Sequence, residues 1–126
     1  MYLYIRKENV MISYALPTEV PRRKKTGFTA VDLALVSTRM NASLITLIDR
    51  YPKEGSAINE QSEMLVLVLE GSVSFNSEDE EVLLPQGATI IVEAGRKYFW
   101  VPKPDVRLYV VSTPPWNAGQ HRQVKS

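Results

Sequence analysis

The chain has 126 residues, of which 44% are hydrophobic and 23% are charged, and these values are typical of one soluble globular domain. Fifteen basic residues against fourteen acidic residues give a formal net charge of +1, which argues against a general nucleic-acid or membrane-surface binder. The chain has no cysteine and one histidine, His121, so its composition excludes disulfides, thiolate catalysis, cysteine-held iron–sulfur clusters and histidine-rich metal sites.

Short apolar segments separated by turn residues follow one another along the chain, a pattern typical of an all-β sandwich or barrel. The predicted strands are Phe28–Ser37, Ser43–Tyr51, Met64–Leu69, the pair Val73 and Phe75, Glu81–Leu84, Thr89–Val92, Lys97–Val101 and Val106–Ser112. Breaks are predicted at Asn76–Asp79, Pro85–Gly87, Glu93–Gly95 and Pro102–Asp105. Helix is expected only as one turn, near Thr18–Val20 or in the C-terminal tail.

No segment has the features of a targeting or membrane-spanning sequence. The longest apolar run, Met64–Leu69, is far shorter than the about 20 residues that cross a bilayer. The N-terminal Met1–Met11 is interrupted by charges and has no signal-peptide core. A cytoplasmic location is therefore expected. The basic run Arg22–Lys25 is interpreted as a solvated loop rather than an anion-binding patch.

Two segments in the middle of the chain resemble the two sequence motifs of the cupin family. Glu63–Gly71 resembles the first motif, whose strand ends in Val-Leu-Glu-Gly, and Leu83–Gly95 resembles the second. The resemblance covers Ser43 to Trp116 and implies a cupin-type double-stranded jelly-roll β-barrel with a pocket inside it. We therefore expect one domain over residues 1–126, with an N-terminal arm at 1–27, the barrel at 28–112 and a C-terminal tail at 113–126.

The positions at which the cupin family holds its metal carry other residues in this sequence. Counted back from the glycine that ends the first motif, the glutamate position is Met64, and the two histidine positions fall on Ala57 and Asn59 or on Ile58 and Glu60. In the second motif the histidine position is Tyr98. A thioether is a poor ligand for a hard divalent ion, and a phenol must first lose its proton to bind one. The resemblance therefore implies a cupin without a metal or another cofactor.

The side chains at these positions predict a pocket with an apolar and aromatic lining. Tyr98 and Trp100 alternate onto one face of a strand, and Met64 and Val66 point toward the same interior from the first motif. Arg50 would bind a carboxylate or phosphate if its strand face were turned inward, and would otherwise face solvent. The ligand-binding candidates are therefore Met64, Val66, Tyr98, Trp100 and Arg50. Side chains that simply fill the barrel would produce the same sequence pattern.

Three functions stay open from the sequence, and no catalytic residue is assigned. A metal-free cupin that binds a small molecule without redox chemistry is favoured, because the scaffold glycines are kept while the ligand positions are changed. A metal-independent isomerase or epimerase is the alternative. Such cupins pair a His base with a Tyr acid, and here Tyr98 or Tyr109 would be the acid and Lys97 or a carboxylate the base. His121 is expected to be solvent-exposed in the tail. The third function is a structural or partner-binding protein with a filled barrel.

A homodimer is expected, with a small-molecule ligand as the other partner and with no nucleic acid and no membrane. The predicted strand Phe28–Ser37 would be a sheet edge that needs cover. The apolar stretch Val10–Leu16 would add a strand across such an interface.

Overall fold

The computed structural model describes residues 13–15, 22–25, 27–33, 35 and 37–125. Within these ranges the chain forms strands and one 3-10 turn at Ala118–Gln120, and no α-helix, which confirms the predicted all-β class. The strands are β1 (Arg22–Lys25), β2 (Phe28–Asp32), β3 (Asn41–Leu47), β4 (Ser56–Asn59), β5 (Glu63–Ser77), β6 (Glu80–Leu84), β7 (Thr89–Val92), β8 (Phe99–Thr113) and β9 (His121–Val124). The predicted helical turn near Thr18–Val20 lies outside the described residues.

Two antiparallel sheets make up the molecule. The larger sheet has the order β1-β2-β3-β8-β5-β6, with β7 also paired to β5, and β4 pairs with β9 in a second, two-stranded sheet. The two longest strands, β5 and β8, have 15 residues each and pair along their lengths. Their register shifts between Val68 and Ser72, and bulges of this kind bend a sheet. One buried core cluster contains residues from both sides of the bend, so the bent sheet wraps around a single interior.

The interior follows from the alternation of side chains along β5. Met64, Val66 and Val68 are buried, whereas the intervening Leu65 is 44% exposed. The run Met64–Leu69 is therefore not buried on both faces, although its sequence is apolar throughout. An antiparallel sheet can keep one face in water, and an apolar run does not by itself show that both faces are buried.

The predicted break at Pro102–Asp105 is also wrong, because these residues belong to β8. Pro102 and Lys103 lie opposite Val73 and Ser72, and the next residue pair along the ladder is Arg107 with Glu70. Pro104 and Asp105 therefore have no partner on β5 and lie in the bulge. Proline cannot donate to a ladder and is tolerated in strands at such irregular positions.

The basic run Arg22–Lys25 forms β1 rather than a loop, and β1 pairs with β2. The strand that was expected to be a sheet edge is therefore covered within the chain, and it ends at Asp32. The stretch Val10–Leu16, expected to add a strand across a dimer, falls largely outside the described residues. No helix in the described part of the chain is long and apolar enough to span a membrane.

Candidate functional site

A cavity of about 60 Å³ lies inside the barrel, which is room for several water molecules. Four of the five ligand-binding candidates line it: Met64, Val66, Tyr98 and Trp100 are all buried and meet in this wall. Tyr98 and Trp100 contact each other edge to face, with ring centroids 6.2 Å apart. The structure therefore brings together the residues that motif registration and strand alternation selected.

Arg50 is placed elsewhere and does not line the cavity. Its guanidinium donates hydrogen bonds to the carbonyl oxygens of Pro52 at 2.6 Å and Gly55 at 3.0 Å, and lies 4.0 Å from the ring centre of Phe99. Strand β3 ends at Leu47, so the alternation that would turn Arg50 inward does not continue to it. Its guanidinium instead stabilises the loop that leads into β4 through these hydrogen bonds.

His121 lies half-buried in the cavity wall, so the expectation of a solvent-exposed histidine is wrong. Strand β9 pairs with β4, and this pairing sets His121 directly opposite Asn59. The Nε2 atom of His121 is 2.8 Å from the hydroxyl oxygen of Tyr51, and its Nδ1 atom is 2.7 Å from Oδ1 of Asn59. The imidazole also stacks on the Tyr51 ring at a centroid distance of 6.2 Å.

Asn59 is buried and joins the polar side chains of this wall. Its Oδ1 atom accepts a hydrogen bond from Nε1 of Trp116 at 2.9 Å, besides the contact with His121. Its Nδ2 atom donates to the hydroxyl oxygen of Tyr98 at 3.2 Å and to the sulfur of Met64 at 3.3 Å. Asn59 falls at a histidine position of the cupin motif in one of the two registrations that the sequence allows. The network therefore uses that position without a second imidazole.

These contacts assign the tautomer of His121. An indole N–H can only donate, so the Trp116 contact identifies Oδ1 of Asn59 as an acceptor. The Nδ1 atom of His121 must then carry a proton to hydrogen-bond to it. In a neutral imidazole the other nitrogen is unprotonated, so Nε2 accepts from the Tyr51 hydroxyl. The nitrogen that faces Tyr51 is therefore the basic one.

The hydroxyl of Tyr98 is a neutral group in a buried position. Burial raises the pKa of this hydroxyl well above its usual value, the nearby Tyr51 raises it further, and the hydrogen bond from Asn59 opposes the shift. Its oxygen accepts from Nδ2 of Asn59, and no described residue accepts its proton. Tyr98 therefore presents a hydrogen-bond donor in the cavity wall.

The residues present do not fit the metal site that the cupin motifs describe. Within the described residues, no group of three or more His, Asp or Glu side chains is placed to hold a metal ion. The polar groups of the wall are one imidazole, two phenols, two indole N–H groups, one carboxamide, two serine hydroxyls and a thioether. Divalent metals in proteins are held by sets of imidazoles, carboxylates and thiolates, and this wall offers a single member of that set.

Two anchors outside the cavity position the residues of the network. The side chain of Gln120 is buried; its Oε1 accepts from the backbone N–H groups of Gln61 and Ser62, and its Nε2 donates to the Ser62 hydroxyl at 2.7 Å. Asn41 holds the backbone of Trp116 through its Oδ1 at 3.0 Å and its Nδ2 at 3.3 Å. The C-terminal segment is therefore tied to the barrel at two points, Trp116 and Gln120.

Sequence reasoning missed Tyr51 and His121 as site residues and gave Asn59 and Trp116 no role in a pocket. Asn59 carried a partial signal, since one of the two motif registrations placed it at a ligand position. For His121 no local signal existed, because its partners precede it by 62 and 70 residues along the chain. Only the pairing of β4 with β9 brings them together.

Comparisons with known proteins identify the fold. No protein-family model matches the sequence, and no curated protein matches it significantly. One similar structure is Pac13 from Streptomyces, which is described as a nucleoside dehydratase. A tyrosine-to-phenylalanine variant of Pac13 with uridine superposes with a TM-score of 0.80 at 16% identity, over 92% of this chain and 93% of its own. KdgF from Halomonas sp. superposes with a TM-score of 0.69 at 15% identity, over 85% of this chain and 97% of its own. The chain therefore has the cupin-type jelly-roll fold that the sequence predicted.

Proposed function

We propose that this chain binds a small molecule inside its barrel and moves a proton on it without a metal, as a metal-independent lyase or isomerase. The observation that carries the proposal is the hydrogen-bonded series Tyr51–His121–Asn59 in the cavity wall, with contacts of 2.8 Å and 2.7 Å. A general base whose other nitrogen is held by an orienting group is the arrangement that acid–base catalysis needs. This histidine is a base, a role for which the sequence offered only Lys97 or a carboxylate.

Each member of the series has a role in this reaction. When the Tyr51 hydroxyl turns to a bound substrate, Nε2 of His121 takes a proton from a substrate carbon. The N–H on Nδ1 then hydrogen-bonds to Asn59 Oδ1 and stabilises the imidazolium. The imidazolium returns the proton, directly or through the Tyr51 hydroxyl, to a leaving hydroxyl group that departs as water or to a neighbouring carbon. No proton is gained or lost by the protein over the cycle.

The substrate class follows from the need to make a carbon–hydrogen bond acidic. A carbonyl group acidifies the hydrogens on the adjacent carbon, and a hydroxyl on the next carbon gives a leaving group. We therefore propose aldehydes or ketones with a hydroxyl at the β-carbon. The likeness to Pac13 supports dehydration as the reaction through fold analogy alone. Structures of that protein include histidine-to-glutamine and tyrosine-to-phenylalanine variants with uridine.

Binding without chemistry is the second candidate, and one observation favours it. Both ring nitrogens of His121 already have hydrogen-bond partners, so the histidine can serve to shape the wall and recognise a ligand. A filled barrel with a purely structural role is disfavoured, because the interior retains a cavity with polar groups in its wall.

Deuterium exchange separates the two candidates. The protein is incubated in heavy water with a panel of β-hydroxy aldehydes and ketones, and NMR follows deuterium at the α-carbon and loss of water. We expect exchange by the wild type and a loss of about 10²–10⁴-fold in His121→Gln. Tyr109→Phe is the matched control, since Tyr109 does not line the cavity. Binding of panel members without exchange would assign the protein to the second candidate.

A further inference from the structure

Charge is missing from the described part of the cavity wall. The described residues that line it are apolar, aromatic or uncharged polar side chains, and His121 is the one titratable nitrogen base among them. Arginines of the surrounding segments are engaged away from the wall. Arg50 binds backbone carbonyls, Arg107 pairs with Glu70 at 3.5 Å, and Arg122 pairs with Glu60 at 2.5 Å.

A charged ligand group would be poorly accommodated by such a wall. An ion that moves from water into this cavity loses hydration, and none of the described side chains that line it carries a fixed opposite charge. An anion would recover part of this loss by pairing with a protonated His121. That pairing would occupy the nitrogen that the proposed reaction uses as a base. The wall therefore selects an uncharged ligand.

Tyr98 adds a second requirement, which is that the ligand carries a hydrogen-bond acceptor. The residue Tyr98 is 4% exposed, and its hydroxyl oxygen already accepts a hydrogen bond from Asn59. The hydroxyl can therefore donate its proton to a ligand oxygen. Burial keeps the pKa of this hydroxyl high, so the donor persists across the physiological range. A ligand oxygen in the cavity would accept this proton and add a hydrogen bond to the one that Asn59 already makes.

We infer that the ligand is an uncharged compound whose carbonyl oxygen accepts a hydrogen bond from the Tyr98 hydroxyl while its apolar part packs against Trp100 and Phe28. The inference rests on the proposed function for its chemical meaning: the same hydrogen bond stabilises the negative charge that develops on that oxygen when His121 removes the adjacent proton. The charge selection itself is a binding property and is measured without turnover.

Three probes of nearly identical shape test the inference: benzamide is neutral, benzoate is an anion and benzamidinium is a cation. Their dissociation constants are measured by protein NMR titration at neutral pH. We expect benzamide to bind at least about tenfold more tightly than either ion, which is the effect of one unpaired charge in a partly hydrated site. Equal or tighter binding of either ion would overturn the inference, and so would a failure of benzamide to bind at millimolar concentration.

Two variants test the role of the Tyr98 hydroxyl. Tyr98→Phe should weaken benzamide binding by about three- to tenfold, the usual net effect of one hydrogen bond. Tyr109→Phe, which removes a hydroxyl outside the cavity lining, should leave it unchanged. Unchanged binding by Tyr98→Phe would show that the carbonyl is held elsewhere. Melting temperatures of both variants confirm that they are folded.

The two proposals fail in different ways. If benzamide is preferred and Tyr98→Phe weakens it, but the wild type exchanges no proton on any compound, the ligand assignment stands and the proposed reaction is wrong. If the wild type exchanges protons but prefers a charged probe, the reaction stands and the ligand assignment is wrong. His121→Gln should keep the preference for benzamide, because the uncharged wall remains.

Discussion

In the proposed reaction Asn59 sets the roles of its neighbours, although it is not itself a base or an acid. Its orientation is set by Trp116, whose indole N–H requires an oxygen at 2.9 Å. That orientation in turn sets which nitrogen of His121 is basic and leaves its amide nitrogen to donate to Tyr98. One side chain therefore links the imidazole of His121 to the hydroxyl of Tyr98.

Two substitutions at position 59 should differ in their effects: one should shift the pH dependence of exchange, and the other should lower stability and rate. Asn59→Asp keeps the acceptor for Trp116 and His121 and adds a carboxylate that stabilises the imidazolium, so the acidic limb of the pH–rate profile for deuterium exchange should move to higher pH. Asn59→Leu removes every partner and should lower the free energy of unfolding by about 1–3 kcal/mol as well as the exchange rate. A pH profile of Asn59→Asp identical to that of the wild type would contradict this role of Asn59.

Tyr98 should make the protein less stable in alkali. Burial raises the pKa of its hydroxyl above the usual value of about 10, so the folded state holds the proton after the unfolded chain has lost it. The stabilisation is complete below about pH 10 and declines as the pH rises through and beyond that value. Urea unfolding followed from about pH 8 to about pH 11 should show this decline in the wild type. Tyr98→Phe should have a shallower decline, and a Tyr109→Phe control should match the wild type.

Residues on one continuous motif were predictable, and residues from distant segments were not. Met64, Tyr98 and Trp100 were selected because the glycines of the two motifs fix their register and strand alternation fixes their direction. His121 has no such reference point, since neither its spacing nor its neighbours in sequence indicate a strand. Its position depends on the pairing of β9 with β4, a strand that lies about 60 residues earlier in the chain.

At the scale of elements, the short pair β4–β9 determines whether the site exists. Each strand has four residues, and His121 is the first residue of β9. A two-stranded ribbon of this length is marginal in water without further packing. Gln120, the residue immediately before His121, provides that support. Its side chain accepts hydrogen bonds from the backbone N–H groups of Gln61 and Ser62 and donates one to the Ser62 hydroxyl.

Gln120→Leu should therefore damage both stability and activity. The substitution leaves the N–H groups of Gln61 and Ser62 without their acceptor, which should lower the free energy of unfolding by about 1–3 kcal/mol. Release of β9 should also lower the deuterium-exchange rate by displacing His121. Gln123→Leu, at an exposed position of the same strand, should change stability by less than about 0.5 kcal/mol. Equal effects of the two substitutions would contradict the anchoring role.

The sequence predicts the limits of a strand where turn residues bound it, and fails to predict them where a bulge interrupts the alternation of side chains. Thr89–Val92 was predicted with its observed limits because it is bounded by turn residues. Strand β8 was divided in two at its prolines, since the sequence does not show that a bulge accommodates Pro104. The strands β4 and β9 were missed because they are short and lack an apolar alternation.

At the scale of the whole molecule, the glycines behind the cupin resemblance have a structural cause. Gly71 has a φ of +80°, and a Cβ atom there would lie 2.7 Å from the carbonyl oxygen of Asp105. Other residues rarely adopt this conformation, and none fits so close to a neighbouring strand. The fold could therefore be predicted from the sequence, because the bend in β5 that closes the barrel requires glycine at this position.

The homodimer stays a prediction. The structure favours an exposed apolar sheet face as the interface, in place of the strand edge that the sequence suggested. Strand β2 is covered by β1, so it offers no free edge. On the outer face, Leu65 lies opposite Ile91 on β7 and opposite Val111 on β8. Leu65 is 44% exposed and Ile91 is 60% exposed. Adjacent apolar side chains on three strands form a surface that a second copy of the chain would cover.

We therefore propose a homodimer through this outer face and expect light scattering at micromolar concentration to give twice the mass of one chain. Ile91→Glu should convert it to a monomer, because a carboxylate buried against its own symmetry mate would lack a counter-charge. Leu83→Glu is the matched control, since Leu83 is 74% exposed on β6 and is not paired with the Leu65 face. Ile91→Glu should leave the melting temperature of the isolated monomer unchanged, as its side chain faces solvent there. A monomeric wild type would end the proposal, and a dimer that survives Ile91→Glu would show that this face is not the interface.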